Sequence, residues 1–455
     1  MILSVRRSFT KTFILKIIII IDMNTSIKKI FIRTQGCSNN ASESEIMGGI
    51  LEAGGYQIVS NPDRADLIMI NVCTVKGDNT ALRAVKDALR DFHGKKIVVA
   101  GCLTKSLVSE IKRIAPNASM LNTNNLHKVK KVVDATFADK QVEELIDDFQ
   151  CKIGMPKKRI SNIVGIVPIS SGCNQYCAYC SVILVKGKLR SYPVEAIVNE
   201  IKRSVAEGCK EIWITSQDNG SYGTESSGKS RLPELLQKVV QVEGDFKVRV
   251  GMMNPHFLKT MTKEMIAAFK NDKMFKFLHV PVQSGSDDVL KLMRRKYDAK
   301  DFEKIVSDFR KEIPDVTIAT DVIIGFPGES DGDFEKTFAL VKKIKPDVLN
   351  ISRFVAREGT MAATLEPHVS SNAIKERSQR MTNVFGEICL AKNKKWIGWK
   401  GEVIVDEVGK EGTGTMVGRN HAYKPVILKG NLELGKRIRV KIIDATSNDL
   451  RAQLC

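Results

Sequence analysis

No stretch of this sequence stays apolar for the roughly 20 residues that a membrane-crossing helix needs. The longest apolar run, residues 13–21, is broken by Lys16 and follows a basic start at Arg6, Arg7 and Lys11. It has the flavour of an export signal, yet Met23 opens a segment that flows directly into the first expected strand. Residues 1–22 therefore read as a non-native or mis-assigned leader, with weak membrane contact as the alternative; no stable membrane partner is expected. The ten cysteines are scattered through the chain rather than evenly paired in a small domain. That excludes a disulfide framework and fits a reducing, cytoplasmic setting. Acidic residues are also short, 52 against 71 Lys and Arg, which leaves a net charge of +19. Positive charge spread over folded domains argues for a polyanionic partner, nucleic acid first.

What is there is a chain of 455 residues, long enough for two to four domains with buried cores. It is organised around SSGCNQYCAYCSVILVKGKLRSY, residues 170–192, in which Cys173, Cys177 and Cys180 form a CxxxCxxC spacing. Three thiolates so spaced can reach one face of a 4Fe-4S cube, which takes four ligands, and so leave one iron open for chemistry. A structural zinc loop more often uses CxxC pairs with a second pair downstream, and none follows. With ten cysteines in the chain, this spacing arises by chance at a frequency of roughly 0.005, so the cluster reading is kept.

Strand and helix signals alternate from about residue 27 to 140: strands over 29–34, 66–71 and 96–100, with helical stretches at 44–53, 76–92 and from 104. Such alternation predicts a parallel sheet with crossover helices. Cys37, Cys73 and Cys102 each fall just past the end of one of these strands. In an open α/β sheet those ends share one edge, where ligands bind, so a second trio of thiolates should converge there. A charged connector, residues 141–162, follows; Cys151 within it, like Cys209, Cys389 and Cys455, reads as a passenger.

Alternation resumes with strands expected over 163–169, 211–215, 246–250, 277–280, 316–324 and 348–351. Six β/α units in succession suit a partial barrel, whose strand ends line the active-site mouth. The residues after the strands include Gln217, Asp218, Asn254, Gln283 and Arg353. Residues 392–455 change to short β-rich runs between glycine turns, a small all-β barrel. It carries 13 basic against 7 acidic residues and offers Trp396, Trp399 and Tyr423 for stacking on bases, which fits RNA binding. The fold class is α/β: an N-terminal parallel α/β sandwich (23–140), a central six-unit partial barrel (163–391) and a C-terminal all-β barrel (392–455).

CxxxCxxC with Tyr179 before the third cysteine resembles the radical S-adenosylmethionine superfamily, and GIVPISSGCNQYCAYC with GKLRSYP resembles its methylthiotransferase branch. TQGCSNNASESEIM, EIWITSQDNGSYG, RVGMMNP, HVPVQSGSDDVLKLMRRKY and TDVIIGFPGES are similar to that family's own runs, and residues 392–455 resemble its closing TRAM domain. The resemblance covers residues 28–454. It implies a 4Fe-4S cluster on Cys173, Cys177 and Cys180 that opens S-adenosylmethionine to a 5′-deoxyadenosyl radical. It implies a second cluster on Cys37, Cys73 and Cys102 holding the sulfur to be inserted. Tyr179, Gln217, Asp218, Asn254, Gln283 and Arg353 become candidates for S-adenosylmethionine contacts. The implied activity inserts a methylthio group into the adenine ring of threonylcarbamoyl-adenosine beside the anticodon of transfer RNA, with an electron donor and a sulfur source as further partners. The alternatives are isopentenyl-adenosine as target, an aspartate of a ribosomal protein (against which the basic terminal barrel argues), or a non-catalytic iron–sulfur RNA-binding regulator.

Overall fold

The computed structural model describes residues 27–73 and 77–455, so the leader and the expected helix start at residue 76 lie outside the described residues. The first layer is a parallel sheet of β1 (Lys29–Thr34), β2 (Gln57–Ile58), β3 (Leu67–Val72), β4 (Lys96–Gly101), β5 (Ser119–Asn122) and β6 (Glu143–Glu144), in the order β2-β1-β3-β4-β5-β6. Strand alternation explains its two cores. Ile68, Ile70 and Val72 face the helices Asp78–Asp91 and Lys105–Ile114 through Ala81, Ala84, Val85, Leu107 and Ile111. Leu67 and Met69 face the opposite way, onto Ile46, Met47, Leu51 and Val132. Both faces are covered, as a parallel sheet requires. β1, β3 and β4 match the strands expected from sequence; β2, β5 and β6 have only two to four residues and give alternation too little length to register.

The helix after β1 runs Ser38–Ala53, a turn and a half earlier than its apolar pattern suggests. Its first turns are polar yet buried: Asn39, Asn40, Ser42, Glu43, Ser44 and Glu45 all lie in the interior. They are covered on one side by their own sheet and on the other by the second layer, where Ser38 Oγ meets Thr215 Oγ1 at 2.7 Å. Residues 152–160 of the connector run across this helix. Lys158 N–H donates to Glu45 O at 2.8 Å, and a Cβ on Gly49 would collide with the backbone of Pro156 and Lys157.

The second layer is built on β7 (Val164–Pro168), followed by the clip β8 (Ser170–Ser171) with β9 (Arg190–Ser191), then β10 (Glu211–Thr215), β11 (Lys247–Val250), β12 (Phe277–His279), β13 (Thr317–Ile324) and β14 (Val348–Arg353). Two parallel three-stranded sheets, β11-β10-β7 and β12-β13-β14, meet at the bridge of Val248 with Met274 and at the hydrogen bond from Met253 N–H to His279 O. The result is the expected open barrel of six parallel strands, each long strand within a residue or two of its sequence position. The helix Ser371–Lys394 leads to β15 (Lys400–Val408), β16 (Thr415–Arg419), β17 (Pro425–Lys429), β18 (Arg437–Ala445) and β19 (Leu450–Leu454), closed in the order β15-β16-β17-β19-β18.

This terminal barrel is docked rather than tethered. Lys424 reaches the buried Asp347 at 2.9 Å and Arg437 pairs with Asp245 at 2.6 Å. Tyr423 is not the free stacking platform its sequence suggests: its ring packs edge-on against Phe275 and Phe277, with centroids 4.8 and 5.3 Å away. Trp396 and Trp399 are half-buried against the barrel core and against each other. Aromatic rings beside a docking surface gain more from that burial than from waiting in water.

Because nothing can yield at Gly49 except backbone, Gly49→Val should destabilise the protein by about 1–3 kcal/mol, read as a lowered urea midpoint with an unchanged slope.

Candidate active site

Cys37, Cys73 and Cys102 are set by the sheet. Each follows a strand of the adjacent set β1, β3, β4, on either side of the point where strand order reverses, the preferred ligand position in such sheets. Gly101 makes the approach possible: its φ is +108°, and a Cβ there would strike Asn71 Oδ1 and Val72 O. Two buried amides brace the edge. Asn40 Nδ2 donates to Val72 O at 3.0 Å, and Asn71 Nδ2 to Asn40 O at 2.8 Å. The thiols are near enough to exchange hydrogen bonds: that with Cys73, against burial, lowers Cys37 to about 6 and also lowers Cys102, whereas Cys73 is driven far up. Among the described residues no group of three or more His, Cys, Asp or Glu closes on a single metal ion. A cube asks something different, one thiolate at each of three separate irons.

Behind the trio lies a buried ionic knot. Glu43 Oε1 accepts from Lys186 Nζ at 2.6 Å, Lys152 Nζ at 2.7 Å, Thr123 Oγ1 at 2.7 Å and Asn39 Nδ2 at 2.9 Å. Burial pushes the Glu43 carboxyl up, but Lys152 and Lys186 outweigh it and hold it at about 2. Two ammonium groups share one carboxylate, so one positive charge is left over, and Lys186 carries it to the cysteine trio. Burial pulls Lys186 down, yet Cys102 and Glu43 raise it above its ordinary value.

The CxxxCxxC loop hangs from the β8–β9 clip. Cys173 N–H donates to Gly187 O at 3.1 Å and Leu189 N–H to Asn174 Oδ1 at 3.0 Å, which folds the loop back on itself. Arg295 donates to Cys177 Sγ at 3.0 Å. Burial lowers this guanidinium, but Tyr179, Tyr297 and Cys177 hold it well above its usual value. Burial raises Cys173, with the Asp218 charge adding to it, and raises Cys180 as well. Tyr179 packs edge-on to Phe326 at 6.5 Å.

The strand ends differ in what they offer. Ser216 Oγ, Gln217 Oε1 and Asp218 Oδ2 are buried without a hydrogen-bond partner among the described residues. Asp218 Oδ1 accepts from the backbone of Gly220 and Asn254, each at 3.0 Å, and burial raises its carboxyl to about 6. The Asn254 side chain caps the helix Pro255–Leu258. Gln283 sits at φ +73°, bridged to Val322. Arg353 is exposed and donates to Ser378 Oγ at 3.3 Å.

A cavity of about 590 Å³ lies where the three parts meet. Cys37, Cys73 and Cys102 line it with Lys186, Gln217, His279 and Asp321 of the partial barrel and Arg419 and Tyr423 of the terminal barrel. The structure thus brings the first trio together with Gln217. Cys173, Cys177 and Cys180, Asn254, Gln283 and Arg353 are not in its wall; the cysteine loop reaches it through Val182, Val185 and Lys186.

Residues 29–122 match the uncharacterized protein family UPF0004, 167–341 the radical SAM superfamily and 395–455 the TRAM domain. The chain is 38% identical over 433 residues to a probable threonylcarbamoyladenosine tRNA methylthiotransferase of Archaeoglobus fulgidus, covering 94% of this chain and 98% of that one. It is 35% identical to the Homo sapiens threonylcarbamoyladenosine tRNA methylthiotransferase, over 94% of this chain and 74% of that one. The chain belongs to the threonylcarbamoyladenosine tRNA methylthiotransferase family. Among solved structures, the radical S-adenosylmethionine methyltransferase TsrM of Kitasatospora setae shares the fold, with a TM-score of 0.54 at 11% identity over 74% of each chain. Among the described residues no helix is long and apolar enough to cross a membrane.

Four residues of this family member escape a reading of its sequence: Glu43, Lys186, Arg249 and Arg295. Glu43, Arg249 and Arg295 lie inside runs that carry the family resemblance, but a charged residue in such a run reads as solvated until its burial is seen. The Glu43 knot has a pH signature. The folded carboxyl, at about 2, gives up its proton more readily than its ordinary value of 4.5 allows. Its stabilisation, about 3 kcal/mol, is therefore present above about pH 4.5 and is lost as the pH falls toward 2. Chemical denaturation of the metal-free protein from about pH 6 to about pH 2.5 should show that loss. Glu43→Gln, which strands two buried ammonium groups, should cost about 3–5 kcal/mol at neutral pH and flatten the acid limb.

Proposed function

We propose that the chain inserts a methylthio group into the adenine ring of threonylcarbamoyl-adenosine beside the anticodon of transfer RNA, in the cytoplasm. The observation that carries the reading is the cavity shared by a cysteine trio on a sheet edge and the strand ends of the partial barrel. The donor sets suit two 4Fe-4S clusters and S-adenosylmethionine. Each set of thiols, Cys37 with Cys73 and Cys102, and Cys173 with Cys177 and Cys180, comprises three ligands and leaves one corner of a cube free. The buried, unpartnered oxygens of Ser216, Gln217 and Asp218 suit the amino and hydroxyl donors of S-adenosylmethionine, since a buried acceptor is stable only when paired. When bound, the cluster on the CxxxCxxC loop supplies the electron that opens S-adenosylmethionine, and the cluster on the sheet edge supplies sulfur.

The chain's own residues do the rest. Arg295 donates to Cys177 Sγ and so fixes that ligand and offsets its negative charge. Lys186 brings the spare positive charge of the Glu43 knot to the other trio, where an anionic group in a low-dielectric site needs it. The walls from all three parts exclude water and oxygen, while the net charge of +19 draws the anionic substrate in. The target base must leave the anticodon-loop stack to enter. An electron donor and a sulfur source come from other proteins or small molecules.

Nucleoside mass spectrometry of transfer RNA from a deletion strain tests the reading. The methylthio form of threonylcarbamoyl-adenosine should vanish and the unmethylthiolated nucleoside accumulate; wild-type protein should restore it and Cys177→Ala should not. An unchanged profile overturns the assignment, and loss of methylthio-isopentenyl-adenosine instead would transfer it to that substrate. Reconstituted Cys102→Ala should keep about half the iron of the wild type.

A further inference from the structure

Arg249 stands in the middle of β11 with its side chain in the cavity wall. Its guanidinium is sandwiched by rings from three elements: its carbon lies 5.2 Å from the Trp213 centroid, 4.8 Å from Phe277 and 5.2 Å from Tyr423. Rings hold a cation in place without satisfying its N–H groups. Arg249 Nε is buried with no hydrogen-bond partner, and no ion pair reaches the group among the described residues. Two nearby carboxyls make no ion pair with it, although Glu211 Oε1 and Asp406 Oδ1 are themselves buried without a hydrogen-bond partner among the described residues. Asp406 holds Arg419 at 2.8 Å. Glu211 accepts from Trp213 Nε1 at 3.1 Å, and burial, then the Asp406 charge, pushes it up to about 8. A planar fork of donors, fixed and unanswered, faces the same space as Cys37, Cys73 and Cys102.

We infer that Arg249 is the carboxylate-binding residue of the substrate pocket, pairing through its guanidinium with the threonine carboxylate on N6 of the target adenosine. The inference rests on the function proposed above and deepens it. The attacked ring carbon and the carbon bearing N6 flank the same ring nitrogen on one edge of the purine, and their outward bonds diverge. A base presenting its carbon to the cysteine trio therefore sends its substituent toward another wall, and in this cavity that wall carries Arg249, a cation with no ion pair among the described residues. Arg matches a carboxylate with two parallel donors. An uncharged isopentenyl group offers no such match and would leave the guanidinium unpaired, the strongest form of discrimination a polar pocket has. Arg249 acts here on binding and selectivity; the radical chemistry takes place elsewhere on the base.

The test compares two RNAs with the holoenzyme: an anticodon stem-loop bearing threonylcarbamoyl-adenosine, and the same stem-loop with the threonine carboxylate as its methyl ester. Affinities are read by fluorescence anisotropy. The wild type should bind the acid about 10- to 100-fold more tightly than the ester. Arg249→Gln should bind the two within about twofold of each other, and Arg249→Lys should recover part of the preference. Equal wild-type affinity for acid and ester overturns the inference and needs no variant to do so. A preference retained in Arg249→Gln overturns it too, as does an equal fall for both RNAs, the result expected if the guanidinium pairs with backbone phosphate. Mass spectrometry of the wild-type reaction scores the parent reading separately. Turnover of the acid RNA without an acid–ester difference removes the carboxylate site and leaves the function standing; no turnover removes both.

Discussion

One oxygen atom, Glu43 Oε1, gathers donors from four stretches of chain. It belongs to the first helix; Thr123 follows β5, Lys152 comes from the connector and Lys186 from the end of the cysteine loop. These segments are separated by up to 143 positions, and no apolar contact could fix their relative places so narrowly. Taking an ammonium and a carboxylate out of water is costly, and the attraction between them offsets that cost only with good geometry and full hydrogen bonding. The arrangement is therefore intolerant of error. Only when the sheet, the connector and the cysteine loop are all in place do both ammonium groups reach the Glu43 carboxylate, and the two cysteine sets are then held in one fixed relation.

Much of this was legible before any coordinates. β7 and β10 to β14 lie within a residue or two of their expected positions because each is a short β-rich segment, apolar or alternating, bounded by polar turns. The convergence of Cys37, Cys73 and Cys102 followed from strand ends sharing an edge. The polar half of the helix Ser38–Ala53 was not legible. A segment such as SNNASESE carries no stripe, since its residues are buried between two layers and satisfied by partners far away in sequence. Arg249 is hidden for a related reason: KVRV alternates like a half-exposed strand, and nothing local says that rings of β10, β12 and the terminal barrel close around it. Tyr423 was misjudged as a base-stacking surface because an aromatic in a basic barrel looks the same in sequence whether it faces solvent or a neighbour.

The terminal barrel combines two roles that composition alone would separate. Its charge, 13 basic residues to 7 acidic, is a long-range feature that attracts polyanions and is screened by salt. Its Arg419 and Tyr423 are short-range features of the cavity itself, packed and ion-paired at fixed distances. Docking contacts such as Lys424 with Asp347 join the two roles, because they hold the charged barrel in the position where Arg419 and Tyr423 form part of the chamber.

The bridge between Val248 and Met274 and the hydrogen bond from Met253 N–H to His279 O at 2.9 Å give the partial barrel a seam. The strands on either side are continuous ladders, whereas here a few backbone contacts join two sheets, and Arg249 is the residue after Val248. The rings clamped around that arginine come from both sheets and from the terminal barrel. The guanidinium thus packs across that seam at the wall of the chamber, so a change in the seam would be felt first at the cation held there.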